Sequence, residues 1–115
     1  MDLTKFMNEL KQFYGTEKYH QCFMGVLLTD GVKYVADELK CHWVFSDAGV
    51  ILKMKLKDEE FVTVNLIAEN SKAKIVYTDG NETTLYTQEY GYTDLPDINL
   101  KFFYTNNVMM LPSEY

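Results

Sequence analysis

The sequence predicts an α+β protein in two layers, with N-terminal helices packed on a C-terminal antiparallel meander sheet. Three observations predict it. Apolar residues recur at helical spacing through positions 1–41, and β-branched and aromatic runs separated by turn residues fill 58–115. The chain has 115 residues, 47% hydrophobic and 15% aromatic, which suits one domain with one core. Residues 42–57 lie between these parts and can be read as helix or as hairpin.

Leu3, Phe6, Met7, Leu10, Phe13 and Tyr14 form one stripe of a first helix, with Lys5, Glu9 and Lys11 opposite. Asp2 is suited to cap its start and Gly15 to end it. Thr16 can cap a shorter second helix through Tyr19, Cys22, Phe23 and Val26, although Gly25 weakens its end. Thr29-Asp30-Gly31 reads as the turn into a third helix, in which Val32, Val35, Ala36 and Leu39 share a face.

In the ambiguous stretch, Val50, Leu52, Met54 and Leu56 alternate with Lys53, Lys55 and Lys57 at strand period. On that reading Ser46-Asp47-Ala48-Gly49 is a hairpin turn following a strand at His42–Phe45. Trp43, Asp47, Val50 and Met54 can instead line one helical face. The alternation favours strand.

Five strands follow: Phe61–Ala68, Ala73–Thr78, Thr83–Tyr92, Ile98–Tyr104 and Val108–Leu111. Asn70-Ser71 and Asn106-Asn107 read as turns, and Asp79-Gly80-Asn81 is a strong hairpin signal, because its residues accept positive φ. Asp94-Leu95-Pro96-Asp97 interrupts the pattern. Short connections lead one to expect each strand beside the next. The expected core is Phe6, Leu10, Val35, Leu39, Trp43, Val64, Leu66, Ile75, Leu85, Leu100 and Phe102.

The net charge is -6, and it is unevenly placed. Residues 1–74 hold 11 acids and 10 lysines, whereas residues 75–115 hold 6 acids and Lys101 as their one base. All 11 basic residues are lysine. The negative field and the absence of arginine, the usual bidentate reader of guanine and phosphate, argue against direct nucleic-acid binding. They fit a protein partner with a basic surface. Met1-Asp2-Leu3 lacks the pattern of a signal peptide, and no apolar run is long enough to span a bilayer, so no membrane association is expected. The expected location is the cytoplasm, with Cys22 and Cys41 reduced.

Candidate chemistry is sparse. His20 with Cys22, and Cys41 with His42, offer zinc-ligand types at spacings unlike common zinc motifs, so ordinary buried cysteines and half-exposed histidines are favoured and no metal is expected. No signature surrounds either cysteine as a nucleophile. Asp58-Glu59-Glu60 reads as a solvated turn, and Asp94 with Asp97 flanks Pro96 in a loop rather than facing a cleft. The six glycines form no phosphate loop, and no cofactor is expected. The tyrosines are the most suggestive feature. Tyr77, Tyr86, Tyr90, Tyr92, Tyr104 and Tyr115 lie in the acidic half, either packed across strands or exposed beside carboxylates as a binding surface. The candidate partner surface is Tyr86, Glu89, Tyr90, Tyr92, Asp94 and Asp97.

Several segments carry a resemblance. They are Asp79-Gly80-Asn81, Leu85-Tyr86-Thr87-Gln88-Glu89, Tyr92-Thr93-Asp94-Leu95-Pro96, Asn107-Val108-Met109-Met110 and the ending Leu111-Pro112-Ser113-Glu114-Tyr115. Leu28-Thr29-Asp30-Gly31-Val32-Lys33-Tyr34 and Trp43 add to them. Together they resemble an uncharacterised bacterial family, a domain of unknown function found in bacteria and on mobile elements. The resemblance implies helix at Trp43–Ala48 and supplies no catalytic residues; the alternation at Lys53–Lys57 departs from the family's pattern and points to a switch to strand near residue 50.

Function is therefore expected to be non-enzymatic: a small acidic protein-binding module, in its sharper form a phage or mobile-element anti-defence (anti-CRISPR-like) inhibitor. The alternative is a small-molecule-binding domain or minor enzyme with an aromatic pocket between helices and sheet. A third reading is a self-associating protein, as a homodimer paired through an edge strand.

Overall fold

The computed structural model describes residues 2–115. Its helices are α1 (Leu3–Leu10), α2 (Asp30–Glu38) and α3 (His42–Met54). Its strands are β1 (His20–Gln21), β2 (Leu27–Leu28), β3 (Phe61–Glu69), β4 (Lys72–Thr78), β5 (Thr84–Tyr90), β6 (Ile98–Thr105) and β7 (Val108–Met110). They form one seven-stranded sheet in the order β1-β2-β7-β6-β3-β4-β5. The fold is α+β, with a mixed, mostly antiparallel sheet in which β2 and β7 run parallel.

Residues 42–54 are helix, which corrects the strand reading. Val44, Phe45, Ala48, Ile51 and Leu52 are buried together, and only helical spacing turns all of them inward. Phe45 packs edge-on against Phe102 of β6 at 5.2 Å. The helix agrees with the resemblance at Trp43–Ala48 and runs past residue 50, where the lysine alternation pointed to a change to strand. The lysine alternation after residue 50 is a coincidence of period that this packing overrides.

The expected second helix is absent. Residues 20–28 instead form β1, a 3-10 turn at Phe23–Gly25 and β2. Thr16 does not cap a helix; its hydroxyl accepts from the Asp30 N–H at 2.8 Å. Met24 and Gly25 both take positive φ, and Leu27–Leu28 pairs with β7. His20, Cys22 and Phe23 are weak helix formers, so strand pairing decides the conformation. Helix α1 ends at Leu10 with Lys11 as its cap, four residues before Gly15, while Asp2 caps its start as expected by accepting from the Lys5 N–H.

The sheet is a meander only from β3 to β5. Strand β6 pairs with β3, with Phe102 opposite Val64 and Leu100 opposite Leu66. The cause is the connection 91–97, which crosses the end of the β3–β4 hairpin. Its Thr93 N–H donates to the Ser71 carbonyl at 2.7 Å, and Asp97 accepts from the Asn70 N–H at 3.0 Å. Thr93 and Leu95 are buried in the crossing. Three strand spacings of roughly 5 Å each separate β5 from β6, within reach of that length of chain. The result is that β5 has a neighbour on one side only.

Burial alternates along β3: Val62, Val64, Leu66 and Ala68 face the helices, while Phe61, Thr63, Asn65 and Ile67 face away. The expected core residues are buried, except that Trp43 and Leu85 are only partly so. Helix α1 is held on α2 by Phe6 stacked on Tyr34, whose hydroxyl donates to Glu9. That carboxylate raises the Tyr34 pKa to about 12, so the phenol stays a donor at neutral pH.

Two segments far apart in sequence meet at the start of α2. Thr29 caps the helix by accepting from the Val32 N–H. Glu114 then accepts from the Thr29 hydroxyl at 2.6 Å, the Gly31 N–H at 3.1 Å and the Leu111 N–H at 3.0 Å. Here Gly31 is required for space, since a Cβ would lie 2.5 Å from Leu111 Cδ1 and 2.7 Å from Glu114 Oε1.

Asp30, beside this cap, accepts from His20 at 2.9 Å and from the Glu17 N–H at 3.0 Å, and these bonds hold its carboxyl below the usual value of 3.8. A carboxyl whose pKa is lowered by folding contributes stability above its unfolded pKa and loses it as the pH falls through the folded one. Asp30→Asn should therefore be less stable than the parent at neutral pH. In thermal melts across pH the difference should close as the pH drops below about 3.8. A constant difference down to acid pH would contradict the assignment.

Candidate functional site

The edge strand β5 places three of the six candidate residues, and the crossing that follows it places the others. Tyr86, Gln88 and Tyr90 face α3, opposite Tyr77, Ile75 and Ala73 of β4. Thr87 and Glu89 face the open side, opposite Val76 and Lys74, and both are exposed. Tyr92 follows, 76% exposed, with Asp94 and Asp97 exposed beyond it.

The ladder fixes which backbone groups are free. Asn70 and Ser71 both take positive φ, the two-residue turn of a type I′ hairpin, which makes Glu69 and Lys72 a hydrogen-bonded pair. Alternation then turns the polar groups of Ala73, Ile75 and Tyr77 toward β5, where they meet Tyr90, Gln88 and Tyr86. The N–H and C=O of Thr87 and Glu89 consequently point away from the sheet. The irregularity between Tyr77 and Thr78 keeps this parity, with the Asp79 N–H donating to the Thr83 carbonyl at 3.0 Å.

This edge is guarded only by Glu89 and by the irregularity near its start. Natural edge strands are blunted by shortness, by lysine or by proline. At the other side of the sheet, β1 is two residues long. Strand β5 has seven residues, Thr-Leu-Tyr-Thr-Gln-Glu-Tyr, with neither lysine nor proline. Residues 75–100, which hold β5 and both its connections, carry Asp79, Glu82, Glu89, Asp94 and Asp97 and no base.

The candidate residues do not form one flat surface. Tyr90 is half-buried, donates to Asp47 of α3 at 2.6 Å and meets Trp43 edge-on at 5.0 Å. Burial first, and then this bond, push its pKa upward. Tyr86 packs against Tyr77 and lies under the Lys55 ammonium at 5.7 Å. Tyr77 is fully buried and donates to Gln88 at 2.6 Å, and Tyr104 is buried as well. Thus cross-strand packing accounts for Tyr77 and Tyr104 and for half of Tyr86 and Tyr90. Trp43 packs on Tyr90 and Tyr77 on Tyr86, with ring centroids 5.0 and 6.2 Å apart. The acidic excess lies in turns and at the edge, since the open face around Glu89 also carries Lys72, Lys74 and Lys101.

Each histidine is bonded to a carboxylate. His20 binds Asp30, and His42 binds Asp37 at 2.8 Å. Cys41 is fully buried, which raises its thiol to about 12 and leaves it protonated. Among the described residues, no group of three or more His, Cys, Asp or Glu side chains is placed to hold a metal ion. No helix among them is long and apolar enough to cross a membrane.

The family model of DUF6876, a family of unknown function, matches residues 4–115. The chain belongs to this family. No curated protein and no solved structure matches it. The DUF6876 match takes in β5, the crossing 91–97 and the Glu114 cap of α2 alike.

Sequence reasoning missed Thr87, whose backbone N–H and C=O point outward as those of Glu89 do, because an edge is a property of strand order. The stripe of Trp43, Asp47, Val50 and Met54 was visible as helical spacing, and it proves to flank β5.

Proposed function

We propose that the chain is a non-enzymatic protein-binding module that accepts an extended, basic segment of a partner protein along the outer edge of β5. The observation that carries this is the seven-residue edge β5, without lysine or proline of its own, in a stretch 75–100 that holds five acids and no base; the nearest cations, Lys74 and Lys55, belong to β4 and to the end of α3. Backbone pairing with such an edge supplies affinity without a deep pocket, and charge complementarity selects a basic strand. The same charge disfavours pairing of two copies, because antiparallel β5 edges would bring Glu89 and the 91–97 acids of one chain toward Asp79 and Glu82 of the other. In its sharper form the module is an anti-defence inhibitor that occludes a basic nucleic-acid channel of its target. That form rests on charge and on the resemblance to mobile-element proteins.

Thr87→Pro tests the proposal. Its missing N–H points outward, so no ladder bond within the sheet is lost. Tagged parent and variant chains are compared for partner capture from the native host. The variant should fold with an unchanged circular dichroism spectrum and lose about tenfold or more of the captured partner, about 1.4 kcal/mol. Equal capture by both chains would refute edge docking.

A further inference from the structure

The flank of α3 beside β5 carries a stripe that the fold leaves without a covering layer. Trp43 and Asp47 contact Tyr90, and Lys55 contacts Tyr86, so α3 runs along the helix-facing side of the edge strand. Val50 and Met54 continue the line from Trp43 and Asp47 at helical spacing. Val50 is 37% exposed and Met54 64% exposed. The carboxylate of Asp47 is already bonded to the Tyr90 hydroxyl. A strand added to β5 would lie about 5 Å further out, and its side chains would point alternately toward this stripe and toward the open face. The two sets would meet different chemistry. The helix-facing set meets Trp43, Val50 and Met54, with Lys55 repelling any cation. The open-face set meets Glu89, with Lys74 one strand further in.

We infer that the accepted segment alternates apolar and basic residues, apolar toward Trp43 and Met54 and basic toward Glu89. This rests on the reading of β5 as the docking edge, and it names the partner as an amphipathic strand rather than a uniformly basic tail. A uniformly basic segment would set every second cation against Lys55 and apolar surface, and a uniformly apolar one would leave Glu89 and the flanking acids unanswered.

The test is selection of random peptides of about twelve residues on the parent chain, with removal of those that also bind Thr87→Pro. A second selection uses Met54→Glu, a change at an exposed position. Peptides specific for the parent should show apolar and Lys/Arg residues alternating with period two. On Met54→Glu a basic residue should replace an apolar one at a helix-facing position. Parent-specific peptides that are basic throughout, or that keep the same pattern on Met54→Glu, would overturn the alternation and leave edge docking standing. If every selected peptide binds Thr87→Pro as well as the parent, both the inference and edge docking fall. Selection of peptides equal to the β5 sequence would assign the edge to a second copy and overturn both.

Discussion

Glu114→Ala should destabilise the protein by about 2–3 kcal/mol, read as a shift of the denaturant midpoint at unchanged slope. The side chain accepts three hydrogen bonds, two of them from the Thr29 hydroxyl and the Gly31 N–H at the first turn of α2. A carboxylate there also answers the positive end of the helix. Gly31→Ala should cost about 1–3 kcal/mol for a different reason, since its Cβ has no room between Leu111 and Glu114. Because the two changes act on one contact, their effects should not add. In the double variant the shortened residue 114 makes space for the new methyl, and the combined loss should fall short of the sum by about 0.5 kcal/mol or more. Strict additivity would show that residues 29–31 and 111–114 are energetically independent.

Gly49→Ala carries the second large expectation, and its sign is the informative part. In the interior of a helix, alanine is favoured over glycine by about 1 kcal/mol. At this position the added Cβ would sit 2.8 Å from the Phe23 carbonyl oxygen, a backbone atom with little freedom to move. The turn is fixed by the Cys22 N–H donating to the Val26 carbonyl at 2.8 Å and by the Asn107 side-chain amide donating to the Gly25 carbonyl at 2.6 Å. The steric cost should outweigh the propensity gain, and the variant should be about 1–3 kcal/mol less stable by urea unfolding. A variant as stable as the parent, or more so, would mean that the 22–26 turn does not rest on α3.

Many turns and caps were legible in the sequence because their chemistry is local, although Thr16 and Gly15 do not cap helices and in the Asp79-Gly80-Asn81 turn it is Glu82 that takes positive φ. Asn70-Ser71 and Asn106-Asn107 take the positive φ that two-residue hairpins need, and Asp2 and Thr29 cap their helices. Strand limits from Phe61 onward came within two residues for the same reason. Two features could not be read this way. Residues 42–57 satisfy both periods, and burial of Phe45 against Phe102, a contact across more than fifty residues, selects helix. The return of β6 to β3 is also non-local. Asp94-Leu95-Pro96-Asp97 shows where the pattern breaks, yet only burial of Leu95 and the bond from Thr93 to Ser71 show that the chain crosses the sheet end there.

That crossing is also why the candidate site was half visible. Acidic composition and the tyrosines pointed to residues 86–97, and the structure keeps Glu89, Tyr92, Asp94 and Asp97 exposed. It takes Tyr86 and Tyr90 partly into the α3 contact and adds Thr87 through strand order. Each of the six lies in β5 or in the chain that leaves it.

Amide hydrogen exchange of the isolated protein tests the outer edge of β5 most directly. Gln88 and Tyr90 donate into the ladder, whereas Thr87 and Glu89 face solvent. Thr87 and Glu89 should exchange at rates close to those of an unstructured chain, with Gln88 between them protected by orders of magnitude, and partner binding should slow the outer pair. Strong protection of Thr87 and Glu89 in the dilute isolated chain would show the edge already covered and contradict its role as the docking strand.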